Sequence, residues 1–144
     1  MKTVSTPWHL WVIAGLAAFW AGIVLVDRGL MIVEYQPYLA LSGDLELETY
    51  ARIPKGWEVF SLVSTACGFL GAVMLLLRRR FAVNLLLIDV IGFGIYLPIF
   101  LYYGYGGGGQ TELAINSTAG ALGWLLTLGI WYYARRMAAR GVLN

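Results

Sequence analysis

The sequence of residues 78–103 is RRRFAVNLLLIDVIGFGIYLPIFLYY. After the three arginines it stays largely apolar for roughly twenty residues, the length that a helix needs to cross a bilayer core about 30 Å thick. Lys and Arg residues in short loops remain on the cytoplasmic side of a membrane. The stretch therefore predicts a transmembrane helix that starts at the cytoplasmic face and carries one acidic residue, Asp89, inside the hydrocarbon.

The composition of the whole chain indicates a membrane protein. Of its 144 residues, 60% are hydrophobic and 12% are charged, whereas soluble domains carry about a quarter charged residues. The length leaves room for one domain, residues 1–144. One cysteine, Cys67, and one histidine leave too few ligands for an intrachain disulfide, a typical zinc site or a bis-histidine haem. We therefore expect no metal site and no cofactor, and membrane lipids rather than nucleic acid as partners.

Hydropathy divides the chain into four predicted transmembrane helices, at residues 8–30, 57–77, 81–103 and 113–133. An acidic loop joins the first two helices, and residues 44–53 within it are compatible with a short helix or a short extended piece. The glycine-rich residues 104–109 predict a flexible outer loop. The predicted fold is an all-α, four-helix transmembrane bundle.

The distribution of charge predicts the orientation of this bundle. Basic residues gather at one side of the predicted spans, namely Lys2, Arg78, Arg79, Arg80, Arg135, Arg136 and Arg140. Acidic residues gather on or near the other side, namely Glu34, Asp44, Glu46, Glu48, Glu58 and Glu112. Because the Lys and Arg asymmetry sets orientation, we expect both termini in the cytoplasm and the acidic loop on the opposite side of the membrane.

Small residues recur along three of the predicted helices at helical spacing. Such positions let neighbouring transmembrane helices approach closely. We predict helix-packing roles for Ala14, Ala18, Gly22, Ser64, Gly68, Ala72, Gly120 and Gly123.

Asp89 is the foremost candidate for chemistry. A charged side chain at the centre of a membrane helix costs about 2.5–3.5 kcal/mol, so Asp89 is expected to face protein or water. It shares a helical stripe with Tyr96 and could relay protons or anchor a ligand. The alternative is a structural hydrogen bond to a neighbouring helix through Asn116 or Ser64. Asn116, Asp27 and Arg28 are the remaining candidates for a ligand site or proton relay. Asp27 and Arg28 lie near the outer interface, with pairing to an acid such as Glu58 as their structural alternative.

Two segments carry a resemblance to a known family. They are PWHLWV at residues 7–12 and YARRMAARGVL at residues 133–143, and the similarity extends through Trp20 and Asp27. The chain resembles a family of small four-span bacterial inner-membrane proteins to which the label "sugar transporter" is sometimes attached. The resemblance implies the four-span fold and a bacterial inner membrane, with the acidic loop in the periplasm. The label implies transport without supplying sugar-binding residues.

Three classes of function are compatible with these features. The first is an accessory or structural membrane protein that binds a partner, as a homo-oligomer or in a larger membrane complex. The second is a small transporter with an interhelical site near Asp89. The third is a membrane enzyme that handles a lipid or a quinone. No nucleophile with a neighbouring base stands out, and an enzyme is the less favoured interpretation.

Overall fold

The computed structural model describes residues 6–41, 44–105 and 110–144, and the regular secondary structure in this part of the chain is helical. The glycine-rich loop predicted at 104–109 falls partly outside these residues. Six helices follow in order: α1 (Trp8–Ile32), α2 (Gln36–Leu39), α3 (Asp44–Arg52), α4 (Lys55–Leu76), α5 (Ala82–Tyr105) and α6 (Gln110–Ala139). Residues 44–52 are therefore helical rather than extended.

Four of these helices, α1, α4, α5 and α6, are long and apolar enough to cross a membrane. Three of them lie within a few residues of the predicted spans, and α6 continues six residues beyond its predicted end at residue 133. The extension carries Arg135 and Arg136, whose guanidinium groups lie over the rings of Trp131 and Tyr132.

The spans pack in chain order. Helix α1 packs against α4, α4 against α5, and α5 against α6. A short turn at residues 77–81 joins α4 to α5 as an antiparallel hairpin. We call the end of the bundle that carries this turn the arginine end; its arginines are Arg78, Arg79, Arg80, Arg135, Arg136 and Arg140. The opposite end, which carries α2 and α3, is the loop end.

Close contact between α4 and α5 depends on small residues. Ser64, Gly68 and Gly71 of α4 are buried. A Cβ atom at Gly71 would lie 2.9 Å from Leu86 Cγ, and the Ser64 side chain occupies the space that a Cβ atom at Gly92 would need. The two helices therefore approach more closely than larger side chains would permit.

The principal buried cluster lies at the arginine end and draws on all four spans. It consists of Leu10, Ala14, Leu75, Ala82, Leu86, Ala134, Met137, Val142 and Leu143. The last two residues belong to the segment after α6, which turns back onto the α4–α5 hairpin. There the Asn144 amide donates to the Arg78 carbonyl (2.7 Å), and the Arg80 amide donates to the Asn144 carbonyl (2.8 Å). The tail thus completes the core at this end.

Three of the spans end in the same backbone motif. Glu34, Arg78 and Gly141, just beyond α1, α4 and α6, have φ values of 53°, 57° and 70°. After each helix a backbone amide donates a hydrogen bond to the carbonyl group five residues earlier. These pairs are Tyr35 to Leu30, Arg79 to Met74 and Val142 to Met137. This is the Schellman arrangement, which satisfies the last carbonyl groups of a helix.

Candidate functional site

Arg28 is the centre of a polar and aromatic cluster at the loop end. Its Nη1 atom donates a hydrogen bond to the Tyr96 hydroxyl (2.8 Å). Its guanidinium carbon lies 4.9 Å from the ring centroid of Tyr96, 5.5 Å from that of Tyr50 and 5.9 Å from that of Phe100. Cation–π contacts of this kind contribute about 0.5–2 kcal/mol each, depending on burial. The guanidinium group therefore connects α1 with α3 and α5.

Asp27 precedes Arg28 in the chain but has a different partner. The Tyr38 hydroxyl, on α2, donates a hydrogen bond to Asp27 Oδ1. Consecutive residues of a helix project about 100° apart, so the two side chains leave α1 in different directions. Asp27 connects α1 with the loop helix α2, whereas Arg28 connects it with α3 and α5.

The acid predicted as a partner for Arg28 lies near it without an ion pair. The carboxyl group of Glu58 interacts electrostatically with Arg28, as does that of Asp27. Among the described side chains, ion pairs form only between Glu48 and Arg52 and between Glu34 and Lys55. One guanidinium group therefore interacts electrostatically with two carboxyl groups.

The pair formed by Glu34 and Lys55 joins the end of α1 to the start of α4. Lys55 Nζ donates to Glu34 Oε1 at 2.7 Å, and this hydrogen bond holds the pKa of the Glu34 carboxyl group below its ordinary value. Both side chains are largely exposed, at 81% and 61%. Surface pairs of this kind contribute little to stability because water and salt screen them.

Asp89 is separate from this cluster. It precedes Tyr96 by seven residues on α5, a separation of about 10 Å along the helix. Its carboxyl group packs against Gly68 and interacts with the Ser64 hydroxyl, which also lies 3.4 Å from the Asp89 carbonyl oxygen. Asp89 therefore lies within the α4–α5 interface, next to the Ser64 stripe rather than the Asn116 stripe.

Asn116 lies on α6, in the part of that helix toward the loop end. Trp124 donates a hydrogen bond to the Val90 carbonyl (2.9 Å), and Gly120 lies against Leu97. In this antiparallel register, Asn116 falls about one turn beyond Leu97 toward the loop end, and so well away from Asp89. The structure thus brings together three of the five candidates, Asp27, Arg28 and Tyr96.

The predicted packing residues lie at several different contacts. Ala14 and Ala72 are buried, and Ala18 is half-buried. A Cβ atom at Gly22 would lie 3.3 Å from the Phe69 ring, and one at Gly123 would lie 3.5 Å from the Phe93 ring.

Several cluster residues were not singled out by the sequence, namely Tyr38, Tyr50 and Phe100. A polar contact at the arginine end was missed too: His9 Nδ1 lies 2.6 Å from the Tyr133 hydroxyl and connects α1 with α6. His9 also lies beside Trp8 at this end, with the two ring centroids 6.1 Å apart. The sequence feature that could have pointed to these aromatic residues was their position near the end of a span, where aromatic residues are common.

Within the described residues, no group of three or more His, Cys, Asp and Glu side chains is placed to hold a metal ion. Comparison with family models, curated proteins and solved structures found no match.

Proposed function

We propose that this chain is an accessory protein of the bacterial inner membrane that binds a transmembrane helix of a partner, in a homo-oligomer or a larger complex, through the outward face of α6. The observation that carries the proposal is the exposure of α6: no residue in its apolar stretch of 18 residues is buried, whereas the corresponding stretches of α1, α4 and α5 each contain buried residues. The contacts of α6 with the other spans are chiefly those with α5, and only near the arginine end do Ala134 and Met137 join the common core.

The outward face of α6 is large and apolar. Its exposed side chains include Ile115, Leu122, Leu125 and Leu126, with exposed fractions between 55% and 69%. In a membrane, association between helices depends on close packing rather than on removal of apolar surface from water. A single-sided contact with α5 leaves this face free for such packing against a helix of another chain.

The contacts of the ionisable side chains in the spans support a structural rather than a catalytic role. Arg28 is bonded to Tyr96, Asp27 to Tyr38, and Asp89 packs on Gly68. Each of these contacts connects two helices. An intramembrane acid held in this way acts as a tie between helices, which favours the accessory function over transport through a site near Asp89.

The orientation in this proposal places the arginine end in the cytoplasm. Arginines in the α4–α5 turn and at the end of α6 then follow the positive-inside rule, and the loop end with α2 and α3 faces the periplasm. The same orientation places both termini in the cytoplasm.

Site-specific photo-crosslinking in native membranes tests the proposal. A benzophenone amino acid would replace Leu122 or Leu125 on the outward face of α6. The matched controls are Leu16 on α1 and Val63 on α4, which are also exposed, at 64% and 57%. We expect one discrete, heavier protein adduct from the α6 positions and lipid adducts alone from the controls.

The mass of the adduct distinguishes the two kinds of partner. Twice the mass of the chain indicates a homo-oligomer, and any other single mass indicates a heteromeric complex. Lipid adducts alone from all four positions, or the same protein adducts from all four, would contradict a specific partner-binding face on α6.

A further inference from the structure

A groove of about 710 Å³ runs along the side of the bundle between α1, α2 and α4. Its apolar lining includes Ala18, Phe19, Gly22, Ile23 and Phe69, and its polar side chains are Asp27 and Tyr38. The groove is open along its outer side rather than enclosed, so it suits a ligand that lies partly in the surrounding bilayer. An apolar lining with a few polar groups is typical of small-molecule sites.

The length of the groove along α1 is close to the thickness of one leaflet of the bilayer. From Ala18 to Asp27 it extends about 13 Å along α1, at about 1.5 Å per residue. Half of a hydrocarbon core about 30 Å thick is about 15 Å. Ala18 lies near the middle of α1, and Asp27 lies in its last two turns. The groove therefore runs from the middle of the bilayer to the interface at the loop end, as an acyl chain of that leaflet does.

The charge at the interface end favours a cationic group. Asp27 accepts a hydrogen bond from Tyr38, which leaves one of its two carboxylate oxygens free of any hydrogen bond to a described residue. Arg28 interacts electrostatically with both Asp27 and Glu58, so these three described side chains comprise two acidic groups and one basic group. Lys55 is bound to Glu34 and adds no net charge.

We propose that this groove binds a phospholipid, with one acyl chain along the apolar lining from Asp27 to Ala18 and an ammonium headgroup paired with Asp27. The Tyr38 ring borders the polar end of the groove, and its hydrogen bond fixes the direction of the Asp27 carboxylate. The inference does not rest on the proposed partner face of α6, because the groove lies on α1, α2 and α4.

Lipid retention measured by native mass spectrometry tests this proposal. The full chain would be reconstituted in nanodiscs with equal amounts of phosphatidylethanolamine and phosphatidylglycerol, then released and analysed for bound lipid. We expect one retained lipid per chain, with phosphatidylethanolamine favoured at least threefold over phosphatidylglycerol.

Two variants separate the headgroup contact from the acyl-chain contact. Asp27→Asn should lose the preference for phosphatidylethanolamine, and Ala18→Phe should fill the groove and lower retention of both lipids at least threefold. Their matched controls are Glu48→Gln, an exposed acid of α3, and Ala121→Phe, an exposed position of α6. Both controls should retain lipid as the wild type does, and thermal unfolding should verify that all four variants fold.

Two results would overturn the proposal. One is equal retention of the two headgroups by the wild type, which would remove the role of Asp27. The other is unchanged retention in a folded Ala18→Phe variant, which would show that retained lipid lies elsewhere on the bundle.

Discussion

The carboxyl group of Asp89 lies directly against the backbone of Gly68, so closely that a Cβ atom at Gly68 would be 2.6 Å from Asp89 Cγ. The only acidic residue of α5 therefore fills a gap that glycine creates on α4. Ser64, one turn away on the same face of α4, provides the polar contact. Helix packing as well as hydrogen bonding therefore holds the Asp89 side chain in place.

Gly68→Ala should weaken the contact between α4 and α5. The added methyl group would overlap the Asp89 side chain, and overpacking of this kind costs about 1–3 kcal/mol. Gly129→Ala is the matched control because nothing lies within 4 Å of a Cβ atom at that position of α6. There the higher helix propensity of alanine should leave stability unchanged or raise it by up to about 1 kcal/mol. Thermal unfolding in detergent measures both variants; equal melting temperatures would contradict the contact.

Substitutions of Asp89 separate a structural tie from proton chemistry. Asp89→Asn keeps the size and hydrogen-bonding capacity of the side chain but has no proton to release. Asp89→Leu removes the polar contact with Ser64. If Asp89 is a tie between helices, Asp89→Asn should melt close to the wild-type temperature and keep the cellular phenotype, while Asp89→Leu should melt lower. A folded Asp89→Asn variant that loses the phenotype would instead indicate proton or ligand chemistry.

Tyr96→Phe should weaken the loop end by removing one hydrogen bond to a charged group. The Arg28 guanidinium would keep its ring contacts, so the loss should be about 1.5 kcal/mol or somewhat more, the range for hydrogen bonds to charged groups. Tyr102→Phe is the control, since the Tyr102 side chain is 73% exposed. The free energy of unfolding in a denaturant titration measures both. A Tyr96→Phe variant as stable as Tyr102→Phe would show that the Arg28 hydrogen bond adds nothing.

The sequence predicted the spans well because a helix that crosses a bilayer needs an apolar stretch of a set length. The sequence predicted the ends of the helices less well. Gly141 is a recognisable signal for the left-handed residue that ends α6, but Glu34 and Arg78 adopt the same backbone conformation without glycine. Both residues take part in the backbone bonds of the Schellman arrangement, and Arg78 also makes a contact with a residue distant in sequence, the Val142 carbonyl. These contacts are not visible in local sequence.

The candidate site was predicted in part. Asp27 and Arg28 were singled out because charge is costly in an apolar run. Their partners could not be singled out, because the chain contains nine tyrosines and six phenylalanines and only the fold selects Tyr38, Tyr50 and Phe100 among them. The groove could not be foreseen either, because it depends on how α2 lies against α1.

Leu143→Ala should destabilise the arginine end, although it lies in the last residues of the chain. Leu143 is fully buried within the common core, and truncation of such a leucine to alanine costs about 2–5 kcal/mol. Leu77→Ala is the control because Leu77 is 60% exposed. Thermal unfolding should show a clear decrease for Leu143→Ala and little change for Leu77→Ala. Equal behaviour would mean that the tail does not pack on the hairpin in the membrane.

The orientation of the bundle is most directly tested by labelling single cysteines in intact cells with a membrane-impermeant maleimide. In a Cys67→Ser background, one cysteine would replace Leu41 at the loop end, and another would replace Ala139 at the arginine end; both positions are exposed. We predict that the cysteine at position 41 reacts from outside, while the cysteine at position 139 reacts only after the membrane is opened. Labelling of position 139 from outside, with position 41 protected, would contradict the cytoplasmic location of the arginine end and of both termini.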